Sequence, residues 1–223
     1  MLDLGVRLSE IARGIPENAS LIDVGCDHGR LPVSLLLSGR IAHAVAADVN
    51  ALPLEKARQL ASDYRIGAER FDSVLSDGLS SVGNVSGKTI VIAGMGGLRI
   101  SHILRNSQSR LPTVARLVLQ PNTETMTVRR CLMDIGFTIV DETMCSERSK
   151  RYTIIVAEPR SDQTMCSDQE LFLGPVLMKR RDELFEAHCT ERLSFLVGLK
   201  AKLGDRFPAE REIQRQWLSN YLY

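Results

Sequence analysis

The feature that most constrains the fold of this 223-residue chain is its alternation of short apolar runs with amphipathic helical segments. Apolar runs at residues 21–24, 41–47, 71–75, 89–93 and 116–119 predict five strands, with helices between most of them. Strands joined through helices form a parallel sheet that is covered on both faces. Runs at 137–140 and 152–156 predict a closing antiparallel pair. The sequence therefore predicts an α/β fold with a mostly parallel seven-stranded sheet.

The character of the sequence changes after Pro159. Residues 160–170 are polar, residues 171–203 show helical periodicity with an interruption at Gly198, and residues 211–223 are amphipathic. Long charged helices of this kind are typical of a helical hairpin or a short coiled coil. We therefore expect one domain over residues 1–160 and a small helical appendage over residues 161–223.

The first predicted strand ends in a turn that carries Asp23, Gly25, Asp27 and Gly29 at alternate positions. Glycines let a ligand lie against the backbone, and the free N–H groups that open the next helix suit a carboxylate or phosphate. Asp27 stands where a dinucleotide fingerprint has its second glycine, and its charge would repel a pyrophosphate. The turn thus disfavours a nicotinamide dehydrogenase and favours a cationic cofactor.

The next strand ends carry further acids. Asp48 follows the glycine turn by about 20 residues, where an acid accepts hydrogen bonds from ribose hydroxyls. Asp77 and Gly78 end the third predicted strand. Because the carboxyl ends of parallel strands meet at one edge of the sheet, these acids indicate a ribose-adenine cofactor there.

The fourth strand end, residues 93–97, reads Ala-Gly-Met-Gly-Gly and offers no side-chain base. An acceptor at this position must bring its own lone pair, as ring N1 of adenine does. Catalysis would then depend on placement and on exclusion of water. Adenine N1 lies on the pairing edge, so the base would have to leave its stack.

The net charge of +1 gives no argument for nucleic-acid binding by overall charge. An arginine-rich segment, residues 99–130, nevertheless holds one acid, Glu124, and six arginines, at 99, 105, 110, 116, 129 and 130. It predicts either a phosphate-binding face or a solvated helix face. Five scattered cysteines predict reduced thiols in the cytoplasm. The histidine spacing predicts no metal site, and the absence of a long apolar run predicts neither a signal peptide nor a membrane span.

Three motifs together resemble those of the bacterial tRNA (adenine-22-N1)-methyltransferase family. They are Asp-Val-Gly-Cys-Asp-His-Gly-Arg-Leu-Pro at 23–32, Ile-Ala-Gly-Met-Gly-Gly at 92–97 and Leu-Gln-Pro-Asn at 119–122. The resemblance runs from Arg7 to Glu158, and residues 172–175 resemble the start of the family's helical tail. It implies a Rossmann-like class I methyltransferase domain, a C-terminal coiled-coil appendage, S-adenosyl-L-methionine as cofactor and tRNA as substrate.

The resemblance also implies roles for individual residues. Asp27 and Asn122 are the expected catalytic residues, and Arg7 matches a family arginine that would meet the cofactor carboxylate. The substrate-binding residues would be Gln120, Pro121, Asn122 and Tyr152. The cofactor-binding residues would be Arg7, Asp23, Gly25, Cys26, Asp27, His28, Asp48, Val49, Asp77, Gly78, Ala93, Gly94, Met95, Gly96 and Gly97.

Several alternatives stay open from the sequence. Asp27 could orient the cofactor or contact the exocyclic amine of the target base, and His28 could be a proton shuttle or a structural residue. A small-molecule methyltransferase and a non-catalytic S-adenosylmethionine-binding protein remain as functions. The arginine-rich segment and the helical tail are both candidates for contact with the tRNA backbone, and the oligomeric state, monomer or dimer through the tail, is open.

Overall fold

The computed structural model describes residues 2–159 and 165–223, which fall into two compact units on either side of residues 160–164. The boundary predicted between residues 160 and 161 lies outside the described residues.

The first unit is built on a seven-stranded sheet with the order β3-β2-β1-β4-β5-β7-β6. Neighbouring strands pair in parallel from β3 to β5, while β7 is antiparallel to both β5 and β6. The strands are β1 Ala19–Val24, β2 Ile41–Asp48, β3 Phe71–Leu75, β4 Thr89–Gly96, β5 Arg116–Thr123, β6 Phe137–Glu147 and β7 Lys150–Pro159.

Five α-helices of the first unit cover the two faces of this sheet. They are α1 Gly5–Arg13, α2 Arg30–Leu37, α3 Ala51–Asp63, α4 Gly97–Asn106 and α5 Thr125–Asp134. Alternate residues of one strand enter different cores, because successive side chains point to opposite faces. Ile22 of β1 packs in the core that includes α4 and α5, whereas Leu21 packs in the core that includes α1, α2 and α3. The predicted fold class is confirmed.

The closing hairpin is longer than the sequence predicted. The ladder between β6 and β7 runs from Phe137 opposite Pro159 to Glu147 opposite Lys150, with an irregularity between Ile139 and Asp141. Acidic residues interrupt the apolar pattern of β6 and hide its full length. One of them, Glu142, is nevertheless fully buried, because it is paired with a buried arginine of α5.

The order of the strands reverses between β1 and β4. From β1 the chain winds outward through β2 to β3, and it then returns to place β4 on the other side of β1. Beyond the carboxyl ends of two such strands the connecting loops diverge and leave a crevice, which is where ligands bind in open α/β sheets.

The second unit is helical, with α6 Asp168–Leu173, α7 Pro175–Arg180, α8 Glu183–Leu203 and α9 Ala209–Leu222. Helices α8 and α9 pack on each other, and the rings of Phe185 and Tyr221 lie 5.5 Å apart. The predicted interruption at Gly198 is wrong. Gly198 lies inside α8, where one exposed glycine lowers helix stability by about 1 kcal/mol without ending the helix.

The helical periodicity is instead broken nearer its start. Gly174 adopts φ 109° and is followed by Pro175, which cannot continue the hydrogen bonding of α6. Helix α8 then begins after Asp182, whose carboxylate accepts a hydrogen bond of 2.9 Å from the Phe185 N–H. The proline and the capping acid therefore decide where the helices divide.

Candidate functional site

A cleft of about 390 Å³ opens at the switch point, beyond the carboxyl ends of β1, β2 and β4. We call it the switch-point cleft. It is lined by Val24, Gly25, Asp27, Asp48, Val49, Asn50, Pro53, Ser76, Gly78, Ala93, Gly94, Met95, Arg99 and Ile103. The acids and glycines from four strand ends thus meet at one edge of the sheet.

The turn after β1 forms one wall of this cleft. The Gly25 N–H donates a 2.8 Å hydrogen bond to the Ala47 carbonyl, which ties the turn to the end of β2. A Cβ at Gly25 would collide with Cε of Met95, so the methionine side chain lies directly over the glycine backbone. Only glycine leaves space at this point for a bound molecule as well as for Met95.

Two carboxyl groups are buried at the base of the cleft wall. The side chains of Asp23 and Asp48 are 5% and 9% exposed. Burial, together with the charges of Asp48 and Asp27, raises the pKa of Asp23 to about 7. Asp48 Oδ1 accepts a 2.9 Å hydrogen bond from the Asn50 N–H, which fixes the carboxylate orientation.

Asp27 contributes a third carboxylate, at the rim of the cleft. Its backbone is left-handed, with φ 52°, and its side chain is largely exposed. The imidazole Nε2 of His28 lies 3.1 Å from Asp27 Oδ1. The carboxylates of Asp27 and Asp48 give the cleft an acidic character that suits a cation and opposes a pyrophosphate.

The third strand end divides between the cleft and its rim. Gly78 lines the cleft, and its carbonyl accepts a 3.0 Å hydrogen bond from the Ser76 hydroxyl. Asp77 turns away and pairs with Arg99, whose Nη2 lies 2.8 Å from Asp77 Oδ1. Sequence reasoning missed Ser76, because a buried serine in a turn carries no distinctive pattern.

The glycine-rich end of β4 also serves two purposes. Irregular pairing with β5 near Gly94 and Met95 brings these residues into the cleft. Gly97 has a packing role, because a Cβ there would lie 2.5 Å from the Glu124 carbonyl oxygen. The Gly97 N–H donates a 3.1 Å hydrogen bond to Glu124 Oε2.

A group of polar side chains adjoins the cleft at Gly94. Arg7 Nη1 donates to Gln120 Oε1 at 2.8 Å, Gln120 Nε2 donates to Asn122 Oδ1 at 3.0 Å, and Asn122 Nδ2 donates to the Gly94 carbonyl at 2.7 Å. The Arg7 guanidinium also lies 5.6 Å from the centre of the Tyr152 ring. The structure therefore brings together Arg7, Tyr152 and two of the three residues from the Gln-Pro-Asn motif.

The predicted site residues thus form a lining group and a supporting group. The lining group is Gly25, Asp27, Asp48, Val49, Gly78, Ala93, Gly94 and Met95. The supporting group is defined as the predicted residues outside the cleft lining, which are Arg7, Asp23, Cys26, His28, Asp77, Gly96, Gly97, Gln120, Pro121, Asn122 and Tyr152. The cleft residues outside the predicted set are Val24, Asn50, Pro53, Ser76, Arg99 and Ile103. Of these, Val24 carried a signal as part of the first motif, and Arg99 as part of the arginine-rich segment.

The arginine-rich segment does not form one phosphate-binding face. Arg129 is 2% exposed and pairs with buried Glu142. Arg110 donates to the backbone carbonyls of Leu79 and Val82, each at 2.6 Å, and Arg116 pairs with Glu158. Arg99 and Arg105 keep about half of their side chains exposed, each in a surface ion pair. The prediction of a shared RNA-facing surface is therefore wrong for Arg129 and unsupported for Arg110 and Arg116.

Neither a metal-binding cluster nor a membrane-spanning helix is found among the residues that the structure describes. Within residues 2–159 and 165–223, no group of three or more histidine, cysteine or acidic side chains is placed to hold a metal ion. Among the helices of the same ranges, none combines the length and the apolar character needed to cross a membrane.

Comparison with known proteins identifies the family. A sequence profile described as tRNA (adenine(22)-N(1))-methyltransferase matches residues 21–220. The chain belongs to this family. The tRNA (adenine(22)-N(1))-methyltransferase of Bacillus subtilis strain 168 is 29% identical over 220 residues, which cover 96% of this chain and 91% of the relative.

Solved structures from the same family agree in fold. A proposed tRNA (m1A22) methyltransferase from Streptococcus pneumoniae, in complex with S-adenosyl-L-methionine, is 31% identical with a TM-score of 0.88 over the whole of both chains. The Bacillus subtilis m1A22 tRNA methyltransferase is 25% identical with a TM-score of 0.83, covering 100% of this chain and 97% of that one. The family resemblance seen in the sequence is therefore confirmed. Like its family, the chain is a methyltransferase that uses S-adenosylmethionine.

Proposed function

We propose that this protein transfers a methyl group from S-adenosyl-L-methionine to N1 of adenine 22 in tRNA. The observation that carries the proposal is the position of the acidic switch-point cleft. The cleft reaches Gly94, whose carbonyl accepts a hydrogen bond from the Asn122 amide. We call Gly94 and Asn122 the acceptor edge, because the base that accepts the methyl group would lie there. Family membership supports the same reaction.

The residues of the cleft fit this cofactor. S-adenosylmethionine carries an ammonium and a sulfonium, and the carboxylates of Asp27 and Asp48 in the cleft lining provide complementary negative charge, with Asp23 buried behind them. The backbone at Gly25 is open to close approach, apart from the movable side chain of Met95. When bound, the cofactor supplies a methyl group attached to a positively charged sulfur.

Individual residues then have distinct roles toward the cofactor. Asp48 has one carboxylate oxygen engaged by the Asn50 N–H, so we assign its other oxygen to the ribose hydroxyls. Val49, 54% exposed beside Asp48, offers an apolar surface to the adenine ring of the cofactor. Gly78 lines the same end of the cleft without a side chain in the way.

The acceptor edge offers positioning in place of a base. N1 of adenine holds an in-plane lone pair and no proton, so the reaction needs no proton removal before attack. The exposed amide of Asn122, oriented by buried Gln120 and by the Gly94 carbonyl, can hold a base in line with the methyl group. We assign Asn122 to direct contact with the base and Asp27 to the cofactor side of the cleft.

We infer tRNA as the macromolecular partner and, because its substrate would be tRNA, the cytoplasm as the location. Arg99 is half exposed at the cleft, where it pairs with Asp77. Because an exposed ion pair contributes little free energy, the guanidinium can contact a tRNA phosphate instead. The C-terminal helical unit is a second candidate surface for the tRNA, with dimerisation as its alternative role.

The experiment is methyl transfer to two transcripts of one tRNA that differ only at position 22, adenosine or guanosine. Mass spectrometry of the digested nucleosides should detect N1-methyladenosine from the adenosine transcript alone. Asp48→Asn should weaken cofactor binding and activity together, while Asp63→Asn, on the exposed face of α3, should leave both unchanged. Cofactor binding without methylation of any nucleoside would favour the small-molecule or non-catalytic alternatives.

A further inference from the structure

The hydrogen bonds between Arg7, Gln120, Asn122 and the Gly94 carbonyl form a single relay, which we call the amide relay. Its three donor–acceptor distances are 2.8, 3.0 and 2.7 Å. Gln120, at its centre, is fully buried, whereas Asn122 is exposed beside the switch-point cleft. A buried amide that joins a cation to an exposed amide fixes the exposed group with little freedom.

The direction of the amide relay is set at both ends. The guanidinium of Arg7 can only donate, and the backbone carbonyl of Gly94 can only accept. The two amides between them can therefore be satisfied in one orientation only, although the oxygen and nitrogen of an isolated amide are hard to distinguish. Asn122 must direct Oδ1 toward Gln120 and Nδ2 toward Gly94, and Oδ1 keeps one free lone pair.

The start of the relay is held in place by another element. Glu147 of β6 accepts hydrogen bonds from the N–H groups of Val6, at 2.7 Å, and Arg7, at 3.3 Å. The Tyr152 ring packs against the Arg7 guanidinium. The first turn of α1 is thereby fixed to the closing hairpin, so the Arg7 end of the relay cannot shift freely.

We propose that Asn122 Oδ1 accepts a hydrogen bond from the exocyclic amino group of the target adenine, and that Arg7 and Gln120 are positioning residues that keep this oxygen available. The inference rests on the proposed function. Guanine carries a carbonyl oxygen in place of the amino group, so the same Asn122 oxygen would repel it. The amide relay is thus a specificity device as well as a support.

The relay also favours the transition state over the ground state. As adenine N1 forms its bond to the methyl carbon, the carbon–sulfur bond breaks and its electron pair stays on sulfur. The positive charge passes to the base and is shared between N1 and the exocyclic nitrogen, whose N–H groups become stronger donors. A hydrogen bond to Asn122 therefore strengthens as the reaction proceeds, which raises the rate of the chemical step.

The test couples a change in the protein to a change in the substrate. The substrates are two ligated tRNAs that carry either adenosine or purine riboside, which lacks the amino group, at position 22. The variants are Gln120→Glu, whose carboxylate still accepts from Arg7 but cannot donate to Asn122, and Asn122→Ala, which is exposed and leaves the Arg7–Gln120 pair intact. Matched controls are Gln108→Glu and Asn106→Ala on exposed positions around the end of α4.

We expect the ratio of kcat on the adenosine tRNA to kcat on the purine riboside tRNA to fall at least tenfold in both variants. The preference in the two controls, and the cofactor affinity of all four proteins, should stay within twofold of the unmodified protein. Equal losses of kcat on both substrates would overturn the inference, because they would show a role in folding or general packing. Failure of the unmodified protein to methylate the adenosine tRNA would overturn the proposed function itself. That failure is seen before any variant is tested, so it is distinct from failure of the inference about Asn122.

Discussion

Arg129 Nε lies 2.7 Å from Glu142 Oε1, and this ion pair between α5 and β6 is almost completely buried. A pair of charges removed from water is held by mutual attraction that offsets a large loss of hydration. Each charge therefore stabilises the fold mainly by compensating the buried charge of its partner. The pair also explains how Glu142 can be fully buried although it is acidic and lies in β6, a strand at the edge of the sheet.

Removal of one partner should be strongly destabilising. Glu142→Ala leaves the Arg129 guanidinium buried without that carboxylate, and we expect the free energy of unfolding to fall by about 3–5 kcal/mol. The double variant Arg129→Met/Glu142→Leu should lose much less, since neither charge remains. Urea unfolding followed by circular dichroism measures both. Equal losses in the single and double variants would contradict this account, and Arg105→Ala, at an exposed ion pair, is the control with little expected change.

The pKa of Asp23 predicts a pH dependence of stability. Its folded-state pKa of about 7 lies above the unfolded value of about 3.9, so the folded state holds the proton more tightly. The stability contributed by this proton is fully present below about pH 4 and is lost as pH rises through 7. The free energy of unfolding should therefore decline between pH 4 and pH 8, and Asp23→Asn should reduce this decline by up to about 4 kcal/mol. Urea unfolding at a series of pH values measures it. An unchanged decline would count against a protonated Asp23.

Cofactor binding should respond to the same group in the opposite direction. A cationic cofactor favours the ionised carboxylate, so the affinity for S-adenosylmethionine should rise by up to about tenfold between pH 6 and pH 8. Calorimetry in two buffers of different ionisation enthalpy should show proton release at pH 7. Asp23→Asn should abolish the release, and a pH-independent affinity of the unmodified protein would refute the assignment.

Gly29 allows a matched test of glycine packing. Gly29 and Gly39 have almost equal φ values, 69° and 71°. A Cβ at Gly29 would lie 2.7 Å from Cβ of Ala57, whereas a Cβ at Gly39 would have no neighbouring atom within 4 Å. Gly39→Ala should lower the unfolding free energy by about 1–2 kcal/mol through backbone strain alone. Gly29→Ala should lower it by a further 1–3 kcal/mol or so, because α2 and α3 must separate. Denaturant unfolding would show no difference if the close contact with Ala57 were unimportant.

Trp217, the single tryptophan, allows the domain boundary to be tested. It lies in α9 with its ring 5.5 Å from that of Phe172, so its fluorescence reports on the C-terminal helical unit. Leu117→Ala removes a fully buried side chain from the sheet unit and should lower its stability by about 2–5 kcal/mol. We propose two independent domains, so the urea transition detected by fluorescence should not move while the transition detected by circular dichroism does. Equal shifts in both would indicate one cooperative unit.

The local order of elements could be predicted from the sequence, because hydrophobic periodicity and glycine-acid turns depend on neighbouring residues. The seven strands, the cofactor turn at residues 23–29 and the acids at the strand ends all followed from such patterns. The errors arose where local patterns were ambiguous. One exposed glycine such as Gly198 does not end a long helix, and the acids of β6 conceal seven of its eleven residues.

Sequence alone thus determined the fold class, the family and the residues that gather at the carboxyl edge of the sheet. Which charges face solvent, and which way each amide points, depends on contacts between elements that are distant in the sequence. Arg129 and Arg99 belong to one basic segment in the sequence, yet the first is buried against Glu142 and the second is half exposed at the cleft. The fixed direction of the amide relay likewise depends on contacts across more than 100 residues, between Arg7 and Gln120, and such long-range pairing leaves no local pattern to read.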